Sequence, residues 1–167
     1  MSILIKKASF IITQNPERQI LQGTDIFVDG SRIAEIGKGI SRRAEHVIQG
    51  KKKLVLPGPI NPHNHLAMSI FRGMADDLPL AEWLKNHIWP LEMRLTPKHI
   101  YYGTLLGCIE SIRSGTTCLG DMYFGAGEVA RGVELSGLRA LVSSVVADLL
   151  PESKAGIKVM KETLGKL

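Results

Sequence analysis

The amino-acid sequence predicts an α/β fold in two parts, a β-rich segment over residues 1–56 and an alternation of strands and helices over residues 57–167. Residues 1–56 are rich in β-branched residues and turn signals, without helical periodicity. After Pro57, apolar residues at helical spacing alternate with short apolar runs. The chain is 44% hydrophobic and 22% charged, which excludes disorder, collagen and a disulfide scaffold.

The first part is predicted to contain short antiparallel strands that form a small sheet or half of a sandwich. Each candidate is rich in β-branched or apolar residues and is bounded by turn signals, the clearest of which is Asp29-Gly30. The candidates are residues 9–13, 25–28, 32–36, 46–48 and 54–56.

Two helices are predicted next in the second part. The first is indicated by an apolar stripe with helical spacing, with Asp77 as its cap and Pro79 in its first turn. The second begins at Thr96-Pro97, a capping residue followed by a first-position proline, and ends near Gly115. The stripe of the first helix consists of Leu80, Trp83, Leu84, His87 and Ile88.

The alternation then continues to the last residues. We expect a strand over 116–123, a helix over 128–136, a strand over 138–147 and a helix over 154–164. The strand over 138–147 is nearly continuously apolar, as in parallel sheets buried on both faces. A complete (β/α)8 barrel takes roughly 250 residues. At about 30 residues per βα unit, residues 57–167 provide only about three units.

Charge and cysteine usage exclude several classes of partner and compartment. The net charge is +5, but the basic residues do not cluster with aromatic residues, and the short run Lys51-Lys52-Lys53 is typical of a solvated flank. We therefore predict no nucleic-acid partner. Cys108 and Cys118 lack the spacing of a zinc or redox motif and are predicted to be buried thiols in a reducing compartment. The sequence shows no signal peptide and no long apolar run, so we predict a cytoplasmic protein without a membrane contact.

His63 and His65 are the first candidate functional residues. On a strand, a spacing of two residues places both imidazoles on one face, where they provide two nitrogen ligands for a metal. A chance pair of surface histidines has the same spacing. The position of the pair favours a metal site, because it ends the first strand after a Pro-Gly turn, and βα barrels build their active sites at the carboxyl ends of their strands.

Three longer segments of the second part carry a recognisable pattern. They are Pro57-Gly58-x-Ile60-Asn61-x-His63-x-His65; Arg72-Gly73-Met74-Ala75-Asp76-Asp77-Leu78-Pro79-Leu80 with Trp83-Leu84 and His87-Ile88-Trp89-Pro90-Leu91-Glu92; and Ser114-Gly115-Thr116-Thr117 with Asp121-Met122-Tyr123. The first resembles the opening of the amidohydrolase superfamily. The other two are similar to its 5-methylthioadenosine/S-adenosylhomocysteine deaminases and, slightly less, to the related chlorohydrolases.

The resemblance covers nearly the whole chain and implies both a fold and site residues. Residues 57–167 would be a partial (β/α)8 TIM barrel of about three βα units, and residues 1–56 the N-terminal part of a β-sandwich-like domain. His63 and His65 would bind one divalent metal ion, zinc as the first choice with iron or nickel as alternatives. Glu92 would contact the ribose hydroxyls of a nucleoside substrate, since a carboxylate accepts two hydroxyl donors at once.

The reaction implied by the resemblance is hydrolytic deamination. A metal-activated water attacks the amidine carbon of the purine of S-adenosylhomocysteine or 5-methylthioadenosine and releases ammonia, leaving the inosyl product. A catalytic site of this kind needs at least three protein ligands. We therefore expect no complete catalytic set within this chain, with the remaining histidine and aspartate ligands and the proton-shuttling glutamate on strands after Leu167. Asp121 is predicted to be a capping or orienting carboxylate at a strand end at least as readily as a catalytic residue. His46, His87 and His99 are assigned to the surface or to packing.

Three functions stay open at this point. In the first, the chain is the N-terminal portion of a nucleoside deaminase and is inactive alone. In the second, it belongs to a sister hydrolase that acts on another amino- or chloro-substituted heterocycle such as guanine or a triazine. In the third, it is a non-catalytic domain that pairs with a separate second half. The family's third strand commonly carries an arginine where this chain has Ser143-Ser144, which leaves the substrate open. Exposed sheet edges predict association of the chain, for example as a homo-oligomer.

Overall fold

The computed structural model describes residues 1–145, which belong to two units, Met1–Pro57 and a second unit that begins at Gly58. The strands of the first unit are β1 (Ser2–Ala8), β2 (Phe10–Ile12), β3 (Ile20–Leu21), β4 (Thr24–Asp29), β5 (Arg32–Gly37), β6 (His46–Gln49) and β7 (Leu54–Val55). They form two sheets, one with strand order β5-β4-β1-β6 and one with order β3-β2-β7.

The strands of the first unit pair in both directions. β1 is antiparallel to β4 but parallel to β6, and β2 is parallel to β7. The prediction of antiparallel strands is therefore wrong for β2 and β7, and β6 pairs in parallel with a strand that was not predicted. Long connections rather than hairpins join the members of both pairs. The sequence analysis also missed β1 and β3. β1 carries the charged pair Lys6-Lys7, which masks its strand character, although it lies inside the larger sheet.

The two sheets of the first unit share a hydrophobic cluster. Ile26 of the larger sheet packs with Ile11 of the smaller one. Asp25 is buried beside it, and its carboxylate accepts backbone N–H groups of Lys7 at 2.7 Å and Ile40 at 2.9 Å. The bond from Lys7 lowers the pKa of Asp25 more than burial raises it. These bonds hold the irregular end of β1, where Lys7 has a φ of 52°.

The second unit alternates helices with three strands, β8 (Ile60–Asn64), β9 (Cys118–Tyr123) and β10 (Arg139–Ser144). The strands form a parallel sheet with order β10-β9-β8. This confirms the predicted α/β class. Its helices are a 3-10 helix (Leu66–Phe71), α1 (Leu80–Glu82), a π-helical stretch (Trp83–Ile88), α2 (Trp89–Glu92), α3 (Pro97–Arg113) and α4 (Ala126–Ser136).

The helix ends differ in how well the sequence predicts them. α3 begins as predicted, since Thr96 caps it and the side chain of His99 accepts the N–H of Thr96 in return. α4 ends at Gly137, whose φ of 76° is the left-handed conformation that glycine favours. Asp77 does not cap the first helix as predicted. Pro79 occupies the capping position before α1, and no side chain caps this end of the helix. The helix after it is broken by a π-helical stretch, and Leu80 of the predicted stripe is 69% exposed.

β10 is not buried on both faces, which corrects the prediction for residues 138–147. Leu141 is 77% exposed, whereas Ala140 and Val142 on the other face pack against the hydrophobic core. The helices cover one face of this strand, and within residues 1–145 no element covers the other. The end of the predicted strand, from residue 146, and the predicted helix over 154–164 lie outside the described residues.

The core of the second unit lies between this sheet and the helices. Cys108 is buried in it as predicted, whereas Cys118 is only half-buried. No helix of the described part is long and apolar enough to cross a membrane. The core residues are Leu66, Ala67, Ile100, Cys108, Leu119, Tyr123, Val129 and Val133.

Gly103 lets α3 lie directly against the 3-10 helix. A Cβ atom on Gly103 would lie 2.4 Å from the carbonyl oxygen of Ala67, and the backbone cannot move aside without repacking the core. We expect Gly103→Ala to lower the free energy of unfolding by about 2 kcal/mol. The matched control is Gly127→Ala in α4, where the Cβ meets no atom within 4 Å. This change should raise the free energy of unfolding by about 0.5–1 kcal/mol, measured by urea titration. Equal effects of the two substitutions would contradict the prediction.

Candidate active site

A cavity of about 330 Å³ lies at the carboxyl ends of the three parallel strands. His65 follows β8, Met122 and Tyr123 end β9, and Val145 follows β10. Apolar side chains of the helical segment after the 3-10 helix form most of the remaining wall. The lining residues are His65, Met68, Leu80, Trp83, Leu84, Ile88, Trp89, Glu92, Met122, Tyr123, Phe124 and Val145.

The structure brings His63 and His65 together. His63 is exposed at the end of β8, His65 follows the strand, and their ring centres are 5.0 Å apart. The Nδ1 atom of His65 lies 2.6 Å from the carbonyl oxygen of Met122. A carbonyl oxygen only accepts, so Nδ1 carries the proton, and Nε2 of the neutral ring keeps its lone pair for another partner.

Asp121 orients the backbone beside this pair. It is 2% exposed, and its Oδ2 accepts the N–H of Leu66 at 2.6 Å. Its Oδ1 has no hydrogen-bond partner among residues 1–145. Burial raises the pKa of the Asp121 carboxyl, and the bond from Leu66 offsets part of that rise. Its bond to the backbone of Leu66 is an orienting contact, one of the two roles that the sequence left open.

Glu92 lines the same cavity as His65, although 27 positions separate them in the sequence. The carboxylate is half-buried at the end of α2, and its Oε1 accepts the hydroxyl of Tyr123 at 2.7 Å. Burial raises the pKa of the Glu92 carboxyl above its ordinary value, while the hydrogen bond from Tyr123 lowers it in part. The pKa of Tyr123 is raised by burial and by the neighbouring carboxylate, so its hydroxyl keeps its proton.

The sequence analysis missed two groups of the site. Tyr123 belongs to the segment Asp121-Met122-Tyr123 that carries the resemblance, and its place at the carboxyl end of a strand is the one signal that could have identified it. The backbone oxygen of Met122 leaves no trace in a sequence. The remaining histidines lie elsewhere: His99 completes the capping box of α3, His46 is exposed on β6, and His87 is half-buried in the π-helical stretch.

The potential ligands present do not make a complete metal site. Within the described residues, no group of three or more histidine, cysteine, aspartate or glutamate side chains is placed to hold an ion. Ser143, near the position where the resemblance implies an arginine, donates its hydroxyl to the backbone oxygen of Asp121. Residues 1–145 thus provide one imidazole and one carboxylate in the wall of a mostly apolar cavity, with a second imidazole, His63, beside the first.

Comparisons with known proteins agree on one family. The profile described as "Amidohydrolase family" matches residues 54–164. The chain is 46% identical over 168 residues to a 5-methylthioadenosine/S-adenosylhomocysteine deaminase of Syntrophomonas wolfei, covering 99% of this chain and 39% of that protein. It is 44% identical over 162 residues to a 5'-deoxyadenosine deaminase of Methanosarcina barkeri, covering 97% of this chain and 37% of that protein.

Solved structures give the same result for the fold. A crystal structure of an adenosine deaminase from Xanthomonas campestris with bound zinc has a TM-score of 0.84 and 30% sequence identity, over 96% of this chain and 38% of that one. The chain therefore spans less than two fifths of the length of the relatives that it matches.

Proposed function

The chain belongs to the amidohydrolase family, and from this premise we propose that it is the N-terminal portion of a metal-dependent deaminase of adenine nucleosides. The single observation that carries the proposal is that His65 and Glu92 line one cavity. A group suited to hold a metal and a group suited to accept sugar hydroxyls thereby face the same substrate-sized space.

The donor set fits one half of a metal site. The ring centres of His63 and His65 are 5.0 Å apart, close enough for both imidazoles to bind one ion. The bond from His65 Nδ1 to Met122 is the kind of outer contact that fixes the tautomer of a metal-binding histidine. We propose His63 and His65 as ligands of one divalent ion, with zinc favoured by the zinc-bound adenosine deaminase among the structural neighbours.

The chain's own residues would bind and orient the nucleoside. When bound, the metal supplies Lewis acidity and an activated water for attack on the amidine carbon of the purine. Glu92 accepts hydroxyl groups of the ribose, and the side chains of Trp83 and Trp89 provide apolar surface and exclude water from the cavity. Because Glu92 and His65 stand at different parts of the cavity wall, binding of the sugar places the base relative to the metal.

The remaining chemistry would come from further strands. We propose that β8, β9 and β10 are the first three strands of a (β/α)8 barrel, because they are parallel, joined by helices and carry the cavity at their carboxyl ends. Two imidazoles are fewer than the three ligands of a catalytic zinc site. We therefore expect the 167-residue chain alone to bind metal weakly and to release no ammonia from a nucleoside.

A chimeric enzyme tests the proposal. The part of the Syntrophomonas wolfei deaminase that aligns with this chain is replaced with the chain, and ammonia release is followed with zinc present. We expect turnover of 5-methylthioadenosine, S-adenosylhomocysteine or 5'-deoxyadenosine, the substrates in the relatives' names. A folded, zinc-loaded chimera that deaminates guanine and none of these nucleosides would overturn the nucleoside proposal in favour of a sister hydrolase.

A further inference from the structure

We propose that Tyr123 is a positioning residue that holds the Glu92 carboxylate in the orientation needed to accept ribose hydroxyls. This inference rests on the proposed function, because it concerns the selectivity of the same nucleoside site. It starts from the hydrogen bond of 2.7 Å that the Tyr123 hydroxyl donates to Glu92 Oε1. Among the described residues, Tyr123 is the one hydrogen-bond partner of the Glu92 side chain.

The two members of this pair differ in how firmly they are held. Glu92 is the last residue of α2, a helix of four residues, and its long side chain has several rotatable bonds. Tyr123 is 3% exposed, ends a strand paired through its whole length with β10, and belongs to the main core cluster. The rigid phenol therefore fixes the flexible carboxylate.

The hydrogen bond leaves one carboxylate oxygen for a ligand. Oε1 is engaged by Tyr123, and Oε2, whose two lone pairs can accept both ribose hydroxyls, has no donor within residues 1–145. Oε2 is not buried, so a hydroxyl group of a ligand in the largely apolar cavity can reach it and donate to it. Without Tyr123, both oxygens would be free to rotate away from the position that meets a ribose.

The same strand end also holds the metal-binding side of the site. Asp121 accepts the N–H of Leu66, and the carbonyl of Met122 accepts His65 Nδ1–H. Three consecutive residues of β9 thus fix the backbone after His65, the ring of His65 and the carboxylate of Glu92. This arrangement gives Tyr123 a specific effect on sugar recognition, distinct from the contacts that its ring makes in the core.

Nucleoside binding to the 167-residue chain tests the inference. Trp83 and Trp89 are its two tryptophans and both line the cavity, so their fluorescence reports binding. Adenosine and 2',3'-dideoxyadenosine are compared, because only the first offers hydroxyls to Glu92. The variant is Tyr123→Phe, which keeps the buried ring and removes the hydroxyl, and the matched control is Tyr102→Phe on the exposed side of α3.

We expect the unaltered chain and the Tyr102→Phe control to bind adenosine more tightly than the dideoxynucleoside. Tyr123→Phe should weaken adenosine binding about tenfold, as for one charge-assisted hydrogen bond, and leave dideoxyadenosine binding unchanged. In a Glu92→Ala background, Tyr123→Phe should have no further effect.

Two results would overturn the inference, and they are distinguishable. If Tyr123→Phe weakened the binding of both nucleosides equally, or left the preference for adenosine unchanged, Tyr123 would act only in packing. The proposed nucleoside site would not be contradicted by that result. No response of the unaltered chain to either nucleoside would count against the nucleoside site and hence against the proposed function together with this inference.

Discussion

Replacing His65 with alanine in the chimeric enzyme is expected to lower kcat by about a thousandfold. The imidazole is the proposed metal ligand that lines the cavity, and its Nδ1 is fixed by Met122 so that Nε2 is available. Loss of one ligand removes the metal or leaves it misplaced, and the water then loses its activation. His63→Ala should have an effect of the same order, because the two rings would share one ion.

His65→Asn separates the two functions of the ring. The side-chain amide of asparagine places an N–H near the position of imidazole Nδ1, so the contact with Met122 can persist while Nε2 is lost. We expect His65→Asn to be as inactive as His65→Ala, with the zinc content of both variants reduced. His46→Ala, on an exposed strand of the first unit, is the matched histidine control and should retain activity and zinc. A His65 variant with full turnover and full zinc content would contradict the assignment.

The β9 contacts show why the candidate site was only partly predictable. The spacing of His63 and His65 predicts a shared face, because alternation along a strand is a local rule. The ring of His65 contacts the backbone oxygen of Met122, and the N–H of the next residue, Leu66, donates to the buried carboxylate of Asp121. Both partners are more than fifty positions away in the sequence. No local pattern encodes such contacts, since they depend on the register of two parallel strands. Glu92 was predicted from a family resemblance, and its hydrogen bond with Tyr123 was found only in the structure.

The fold divides in a similar way. Capping and termination are local, so Thr96, Gly115 and Gly137 mark the ends of α3 and α4 correctly. Strand direction is a long-range property, and the parallel pairing of β1 with β6 was therefore not predictable from turn signals. Burial depends on what covers a face. The apolar run around Leu141 predicts a buried strand, but the described residues cover only one of its faces.

Glu92→Ala in the chimeric enzyme is expected to raise the KM for adenosine about 100-fold with little change in kcat. Two charge-assisted hydrogen bonds to ribose, each contributing about 1.5 kcal/mol, account for this factor. The KM for 2',3'-dideoxyadenosine should not change, because that nucleoside offers no hydroxyl to the carboxylate. Glu92→Gln keeps the shape and an acceptor for Tyr123 but loses the charge, so its KM for adenosine should rise only about tenfold.

The contrast between Glu92 and His65 is the sharper test of a shared site. A residue that binds the sugar equally in the ground and transition states changes KM, whereas a ligand of the metal changes kcat. Glu82→Ala, on the exposed surface of α1 in the same helical segment, is the matched control and should change neither constant. If Glu92→Ala lowered kcat and left KM and ribose selectivity unchanged, the carboxylate would belong to the catalytic step, and the proposed division of the cavity would be wrong.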